Sequence, residues 1–194
     1  MTWMKKPKVK KNYLIHLKWK RADMDQRRKD ETFMRAALSR AEKALAAGEF
    51  PVGCVIADER DIIAAGARES SRGQAANEID HAEILALKRL YESGRTAEGR
   101  PLTIYTTMEP CLMCFGAILI AGVNRIVFAF EDAMGGGTAC RLAGMPPLYS
   151  NVEVEIVAHV LRKESLDLFQ RFFSEPANAY LKETLLAEYT LGQR

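Results

Sequence analysis

The stretch "DHAEILAL" (residues 80–87) sets a histidine and a glutamate two positions apart at the head of an apolar helical pattern, in a chain with only 3 histidines among 194 residues. Two readings compete for it. His81 can simply start a helix, with Glu83 as a first-turn carboxylate that the positive end of the helix dipole favours. Alternatively, both belong to a site completed elsewhere in the chain, and "EPCLMC" (109–114) supplies the partner. Two cysteines spaced C-x-x-C at a helix start put both sulfurs on one side, where the amide dipoles favour their deprotonated form. Alone, such a pair is ambiguous between zinc and redox chemistry. Together, His81, Cys111 and Cys114 make three ligands with no obvious fourth, the pattern of a catalytic zinc whose open position holds water. Glu83 is left over on the same first turn as His81. It is placed to take that water's proton and pass it on to a substrate.

Working outward, Asp30 or Thr32 is expected to cap a first helix whose apolar positions Phe33, Ala37, Leu38, Ala41 and Leu45 repeat at helical spacing until Gly48. "PVGCVIA" (51–57) and "DIIAAGA" (61–67) read as a hairpin across "DER", followed by a polar loop over residues 73–80. A second helix runs from His81 to about Ser93, stopped by Gly94. "LTIYTT" (102–107) is a strand rich in β-branched residues, and Pro110 opens the next helix. "RIVFAF" (125–130) and "VEVEIVA" (152–158) are further strands, with loop over 132–150 between them. Helices are expected over 162–173 and 179–190. The order α, β, β, α, β, α, β, β, α, α predicts an α/β protein with a mixed sheet and helices on both faces.

Composition fits one domain of ordinary size: 48% apolar and 27% charged residues, a globular balance. The longest apolar run, "FGAILIAGV" (115–123), is too short to cross a bilayer. No secretory h-region is present and four cysteines make no disulfide scaffold, so a cytoplasmic protein without membrane partners is expected. The charge is unevenly placed. Residues 1–29 hold 11 basic against 2 acidic residues, leaving 17 against 23 in the rest, so a +9 arm precedes a −6 body. The simplest reading is a flexible, solvated arm (1–29) ahead of a single domain (30–194). With Trp3, Tyr13 and Trp19 interleaved, a nucleic-acid contact stays open, as do a presequence and a true start at Met24.

"HAE" (81–83) with "PCLMC" (110–114) resembles the H-x-E and P-C-x-x-C signature of zinc-dependent nucleobase deaminases. The likeness extends from about Phe33 to about Phe173: "GEFPVGCVI" is similar to the strand entry of bacterial tRNA adenosine deaminases, and "NRIVFAFEDAMGGG" to their strand and loop after the second zinc helix. The resemblance implies a three-layer α/β/α sandwich around a five-stranded sheet of the cytidine deaminase type, one Zn2+ per subunit and a homodimer. It implies His81, Cys111 and Cys114 as zinc ligands, Glu83 as the general acid and base, and backbone groups of Ala82 and Cys111 near the substrate amine; Glu69, Ser70 and Phe173 are further candidates around the substrate. Cys54, Cys140, His16 and His159 are assigned to packing.

Two departures bear on the substrate. Relatives that take a base or nucleoside carry an asparagine in a G-x-N turn ahead of the zinc histidine; at that distance stands Ser70, with Glu69 before it, and Asn77 lies too close to His81. The stretch after Phe172 and Phe173 is acidic on balance where bacterial tRNA adenosine deaminases are basic, and an RNA hairpin is bound mainly through phosphate neutralisation. The first expectation is therefore a hydrolase that deaminates a free base or nucleoside of the cytosine, guanine or adenosine type. The alternative is a tRNA adenosine deaminase that flips an anticodon-loop base. A zinc-bearing partner subunit without activity is disfavoured by the presence of Glu83.

Overall fold

The computed structural model describes residues 10–71, 76–97 and 99–193. The first nine residues of the basic arm and part of the loop after Arg68 lie outside the described residues. Five strands form one mixed sheet in the order β2-β1-β3-β4-β5. β1 (Gly53–Ala57) and β2 (Ile62–Ala67) are the expected antiparallel hairpin. β3 (Thr103–Met108) runs antiparallel to β1 and parallel to β4 (Arg125–Phe130), which runs parallel to β5 (Glu155–Val157). The helices are α1 (Lys10–Ala46), α2 (Ala82–Glu92), α3 (Leu112–Ile120), the single-turn α4 (Pro147–Ser150), α5 (Arg162–Ser174) and α6 (Leu185–Gly192). Among the described residues no helix is long and apolar enough to cross a membrane.

The alternation of side chains along each strand builds the layers. Val55, Ala57, Tyr105 and Val127 pack against Met34, Ala37, Leu38 and Ala41 of α1 on one face. Cys54, Ile56, Ile104 and Ile126 pack against Ala86 and Leu90 of α2 and Phe115 and Ile118 of α3 on the other. The central strands β1, β3 and β4 are buried on both faces, whereas the edge strand β2 alternates. The result is the three-layer α/β/α sandwich expected from the sequence. Gly66 sets how close α2 lies to β2, since a Cβ there would overlap the backbone carbonyl of Ala82 and approach the amide of Ala86 to 2.8 Å.

Three boundaries differ from the sequence reading. α1 does not start at Asp30 or Thr32 but continues unbroken from Lys10. Asp30 is instead a buried anchor, 4% exposed, accepting from Arg125 Nη1 and Nη2 at 2.8 and 2.9 Å and from the Tyr105 hydroxyl at 3.0 Å. Burial and the Asp30 carboxylate together push the Tyr105 phenol well above its ordinary range. Removing one partner of such a buried pair typically costs about 3–5 kcal/mol, far more than a helix cap of about 1 kcal/mol contributes. The expected loop after β4 contains a 3-10 turn (Leu142–Gly144) and α4. The last helix begins at Leu185, capped by Thr184 Oγ1, which accepts from the Ala187 amide at 3.4 Å; Leu181 ahead of it has φ 55° and cannot sit in a helix.

A candidate zinc centre and its cavity

His81 and Cys111 occupy equivalent places: each is the residue immediately before a helix, α2 and α3 respectively, in extended conformation. Neither side chain caps its own helix, although each carbonyl accepts the first helical amide, from Leu85 at 2.9 Å and Phe115 at 2.8 Å. The two side chains are therefore free to meet each other, and Cys114 joins them from the first turn of α3. Cys111 Sγ and Cys114 Sγ lie 3.6 and 3.5 Å from His81 Nδ1. A tetrahedral zinc with Zn–N of about 2.0–2.1 Å and Zn–S of about 2.3 Å has an N···S edge of about 3.6 Å. These three donors thus fit the group with no rearrangement. No carboxylate or further cysteine or histidine joins the cluster among the described residues.

The local electrostatics suit a cation. A hydrogen bond from the Cys114 thiol, aided by His81 against the opposing effect of burial, holds the Cys111 thiol down to about 4, whereas the same pairing and burial push Cys114 up. The hydrogen bond to Cys111 raises His81, although burial opposes it. One sulfur of the pair is accordingly anionic at neutral pH, at the positive end of α3.

Glu83 is 3% exposed and sits beneath this cluster. Its Oε1 accepts from Thr106 Oγ1 at 2.7 Å, and Thr106 is itself wholly buried on β3. That bond fixes the carboxylate so that Oε2 lies 3.5 Å from Cys114 Sγ, on the side of the donor set. Burial raises the pKa of Glu83, with the Thr106 hydrogen bond offsetting part of the shift. An upward shift of this kind eases the carboxylate's uptake of a proton, as a proton shuttle requires. The sequence reading missed Thr106; in "LTIYTT" it shows only as one more β-branched residue.

A cavity of about 220 Å³ opens over the cluster. Its floor is His81, Ala82, Glu83 and Cys111, and its walls include Phe50, Arg68, Glu78, Met134, Tyr180 and Leu181. The loop after β4 closes one side: Gly137 lies so close to the backbone of Cys111 and Leu112 that a Cβ there would come within 2.7–2.8 Å of it, and Glu109 Oε2 accepts from the Asp132 amide at 3.2 Å. Of the residues expected around the substrate, only Ala82 lines the cavity. Glu69 lies outside, paired with Arg89 at 2.8 Å with over half its side chain exposed. Ser70 uses its carbonyl to hold the Asn77 amide at 2.8 Å. Phe173 is buried in the aromatic cluster around Phe50, 6.0 Å from that ring. Asn77 is spent on the turn into α2, where its Oδ1 accepts from the Ile79 and Asp80 amides at 2.8 and 3.1 Å. Cys54 is buried as expected, but Cys140 is exposed, and His159 lies at the surface 3.2 Å from Glu131. His16 falls where no side chain is described.

Fold, donor set and buried carboxylate define a zinc-type hydrolytic deaminase. A family model for the cytidine and deoxycytidylate deaminase zinc-binding region matches residues 27–130. A tRNA-specific adenosine deaminase of Haemophilus influenzae is 36% identical over 147 residues, covering 75% of this chain and 84% of that one. A solved structure from a study of A-to-I editing by tRNA:A34 deaminases at the wobble position is 26% identical with a TM-score of 0.58, covering 71% of this chain and 98% of the other. Guanine deaminase from Nitrosomonas europaea, 24% identical with a TM-score of 0.59 over 73% of this chain and 83% of its own, shares the fold. The chain belongs to the zinc-binding cytidine and deoxycytidylate deaminase family.

Proposed function

We propose that the protein deaminates adenosine in tRNA to inosine, in preference to the free base or nucleoside that the sequence alone favours. The reading is carried by one observation: the relative at 36% identity, aligned over 84% of its length, is a tRNA-specific adenosine deaminase. The acidic body argued for a small substrate, but the basic residues of the arm from Lys10 onward stand on the same unbroken helix that packs against the sheet. That helix supplies the positive charge that RNA binding requires.

In this reading His81, Cys111 and Cys114 hold the zinc, which when bound lowers the pKa of water enough for hydroxide to be available near neutrality. Glu83 Oε2 accepts the proton of the attacking water as its oxygen bonds to C6 of the adenine ring. Glu83 delivers that proton to ring nitrogen N1, then takes the remaining C6 hydroxyl proton and passes it to the amine as the C6–N6 bond breaks, so that ammonia leaves and the carbonyl of inosine remains. Thr106 holds Oε1 so that this carboxylate does not rotate away. The Ala82 backbone, on the cavity floor, faces the departing amine. The exposed Leu112 and Ile120 on α3, 61% and 64% accessible, support pairing of two copies as a homodimer.

The test is nucleoside analysis of total tRNA and of an anticodon stem-loop after incubation with the zinc-loaded chain, alongside ammonia release from free bases and nucleosides. Inosine in the RNA is the expected result. Ammonia from a free base or nucleoside, with no inosine in either RNA, overturns the tRNA reading and restores the small-substrate one.

A further inference from the structure

Glu109 lies between β3 and the start of α3, on the wall of the cavity, and its carboxylate is spent on one loop. Oε1 accepts from the Thr138 amide at 3.3 Å and from the Thr138 hydroxyl, and Oε2 accepts from the Asp132 amide at 3.2 Å. Backbone amides must find acceptors, so the hydrogen bonds of this loop can be followed one by one. Asp132 closes the turn from within: its Oδ1 accepts from the Met134 and Gly135 amides, each at 2.9 Å, and its carbonyl from the Gly136 amide at 3.1 Å. The Gly137 amide donates to the Pro110 carbonyl at 2.8 Å. The amides at the two ends of the turn, Asp132 and Thr138, both go to Glu109. The fit is close, since a Cβ on Gly136 would come within 2.5 Å of Glu109 Oε2. Glycine at that position lets the loop lie down on the carboxylate.

What the loop carries gives this contact its consequence. Asp132, Met134 and Gly135 form one side of the cavity above His81, Glu83 and Cys111. Met134 is 47% exposed, so burial of its own side chain does little to hold that side in place. A turn closed only from within is free to swing on its ends, and the restraint has to come from outside it. Three donors on one carboxylate supply that restraint, because an ionised acceptor makes each bond roughly twice as strong as a neutral one. A carboxylate offers about four acceptor sites. The loop takes three of these on Glu109, which leaves the group to the loop and not to the substrate. We propose that Glu109 is a positioning residue for substrate binding: its carboxylate clasps the loop of residues 132–138 to the start of α3 and so fixes one side of the cavity, while the chemistry is left to Glu83 and the donor set. The inference rests on the deaminase reading for a turnover to measure, and not on the choice between tRNA and a free nucleoside.

The experiment measures kcat and KM on an anticodon stem-loop and on free adenosine, zinc content, and amide hydrogen exchange over residues 131–138, for the zinc-loaded parent, Glu109→Gln, Thr138→Val, Thr138→Ser and the Glu109→Gln/Thr138→Val double variant. Glutamine keeps the size of the side chain but offers one accepting oxygen, so its NH2 group faces one of the loop's donors head on. Glu109→Gln should raise KM roughly tenfold at full zinc, with kcat within about threefold of the parent, while the Asp132 and Thr138 amides exchange faster. Thr138→Val should raise KM by less, and Thr138→Ser, which keeps the hydroxyl, should stay at the parent value. In the double variant the two effects should fall short of multiplying, because both act on one clasp. A parent-like KM or unchanged exchange in Glu109→Gln overturns the proposal. A fall in kcat as large as the rise in KM, or a loss of zinc, overturns it too, by moving Glu109 to the reacting centre or to the support of the donor set. Stem-loops left unmodified by a parent that turns over free adenosine would sink the tRNA substrate alone, and the clasp is then read on the nucleoside.

Discussion

The floor and the wall of one cavity are built by different means. The floor, His81, Glu83, Cys111 and Cys114, comes from two strand-to-helix junctions inside the sandwich and spans 34 positions at fixed motif spacing. The wall, Arg68, Glu78, Tyr180 and Leu181, joins the end of β2 to a turn more than 100 residues later, outside the family-matched segment 27–130. Positions on a floor of this kind are dictated by helix geometry and by the metal. Positions on the wall are dictated by whichever loop the core happens to deliver there. The floor carries the donor set and the buried carboxylate, and the wall bounds the space above them.

That division can be broken or sharpened by experiment. The largest effect is expected from Cys111→Ala, which opens the donor set: zinc content by elemental analysis should fall below stoichiometric and turnover should vanish, together with a lowered melting temperature. A variant with full zinc would mean that Cys111 is not part of the grip. Next comes Glu83→Gln, expected to keep its zinc and fold but to lose turnover by about 10²–10⁴-fold or more, because an amide cannot carry the proton. Normal turnover there would remove the proton shuttle from the floor. A third change acts on the frame beneath both regions. Gly66→Ala drives a Cβ into the Ala82 and Ala86 backbone, neither of which is the far end of a flexible side chain, and should cost about 1–3 kcal/mol in denaturant unfolding. An unchanged unfolding midpoint would mean that α2 is free to ride away from β2.

The smallest effect concerns how the wall's C-terminal support is pinned. Burial raises Glu131, but Arg162 and the Tyr189 hydroxyl, donating at 2.6 Å, outweigh it and hold the carboxyl down to about 2. Its folded pKa lies below its ordinary value, so its stabilisation is fully present above about pH 4.5 and is lost as pH falls toward 2. Acid unfolding of the parent should show this loss, and Glu131→Gln should flatten it. Identical pH profiles for the two chains would dissociate Glu131 from the pinning of α5 and α6.

Most of the floor was legible because its chemistry and its spacing coincide. A histidine and a cysteine each fall at the first residue before a helix, and a helix start fixes where such a side chain points. The wall was not legible. Counting back from His81 reaches Ser70, but Ser70 lies off the cavity with its carbonyl holding the Asn77 amide, and it is Arg68, just after β2, that reaches the wall. Tyr180 looked like the opening of a last helix; Leu181 at φ 55° breaks that pattern and directs the segment into the cavity. Asp30 misled in the same way, since a carboxylate before an apolar helical run reads as a cap until Arg125 and Tyr105 are seen to converge on it.

By itself the sequence determined the order of elements, the α/β class, the donor set and the carboxylate beside it, because hydrophobic periodicity and ligand spacing are local properties written along the chain. Only the tertiary structure decided that α1 runs back to Lys10, that Glu69, Ser70 and Phe173 stand away from the cavity, and that a buried arginine, Arg68, belongs to its wall. Those outcomes depend on contacts between residues up to 112 positions apart, and the geometry of such contacts is set by how the layers pack.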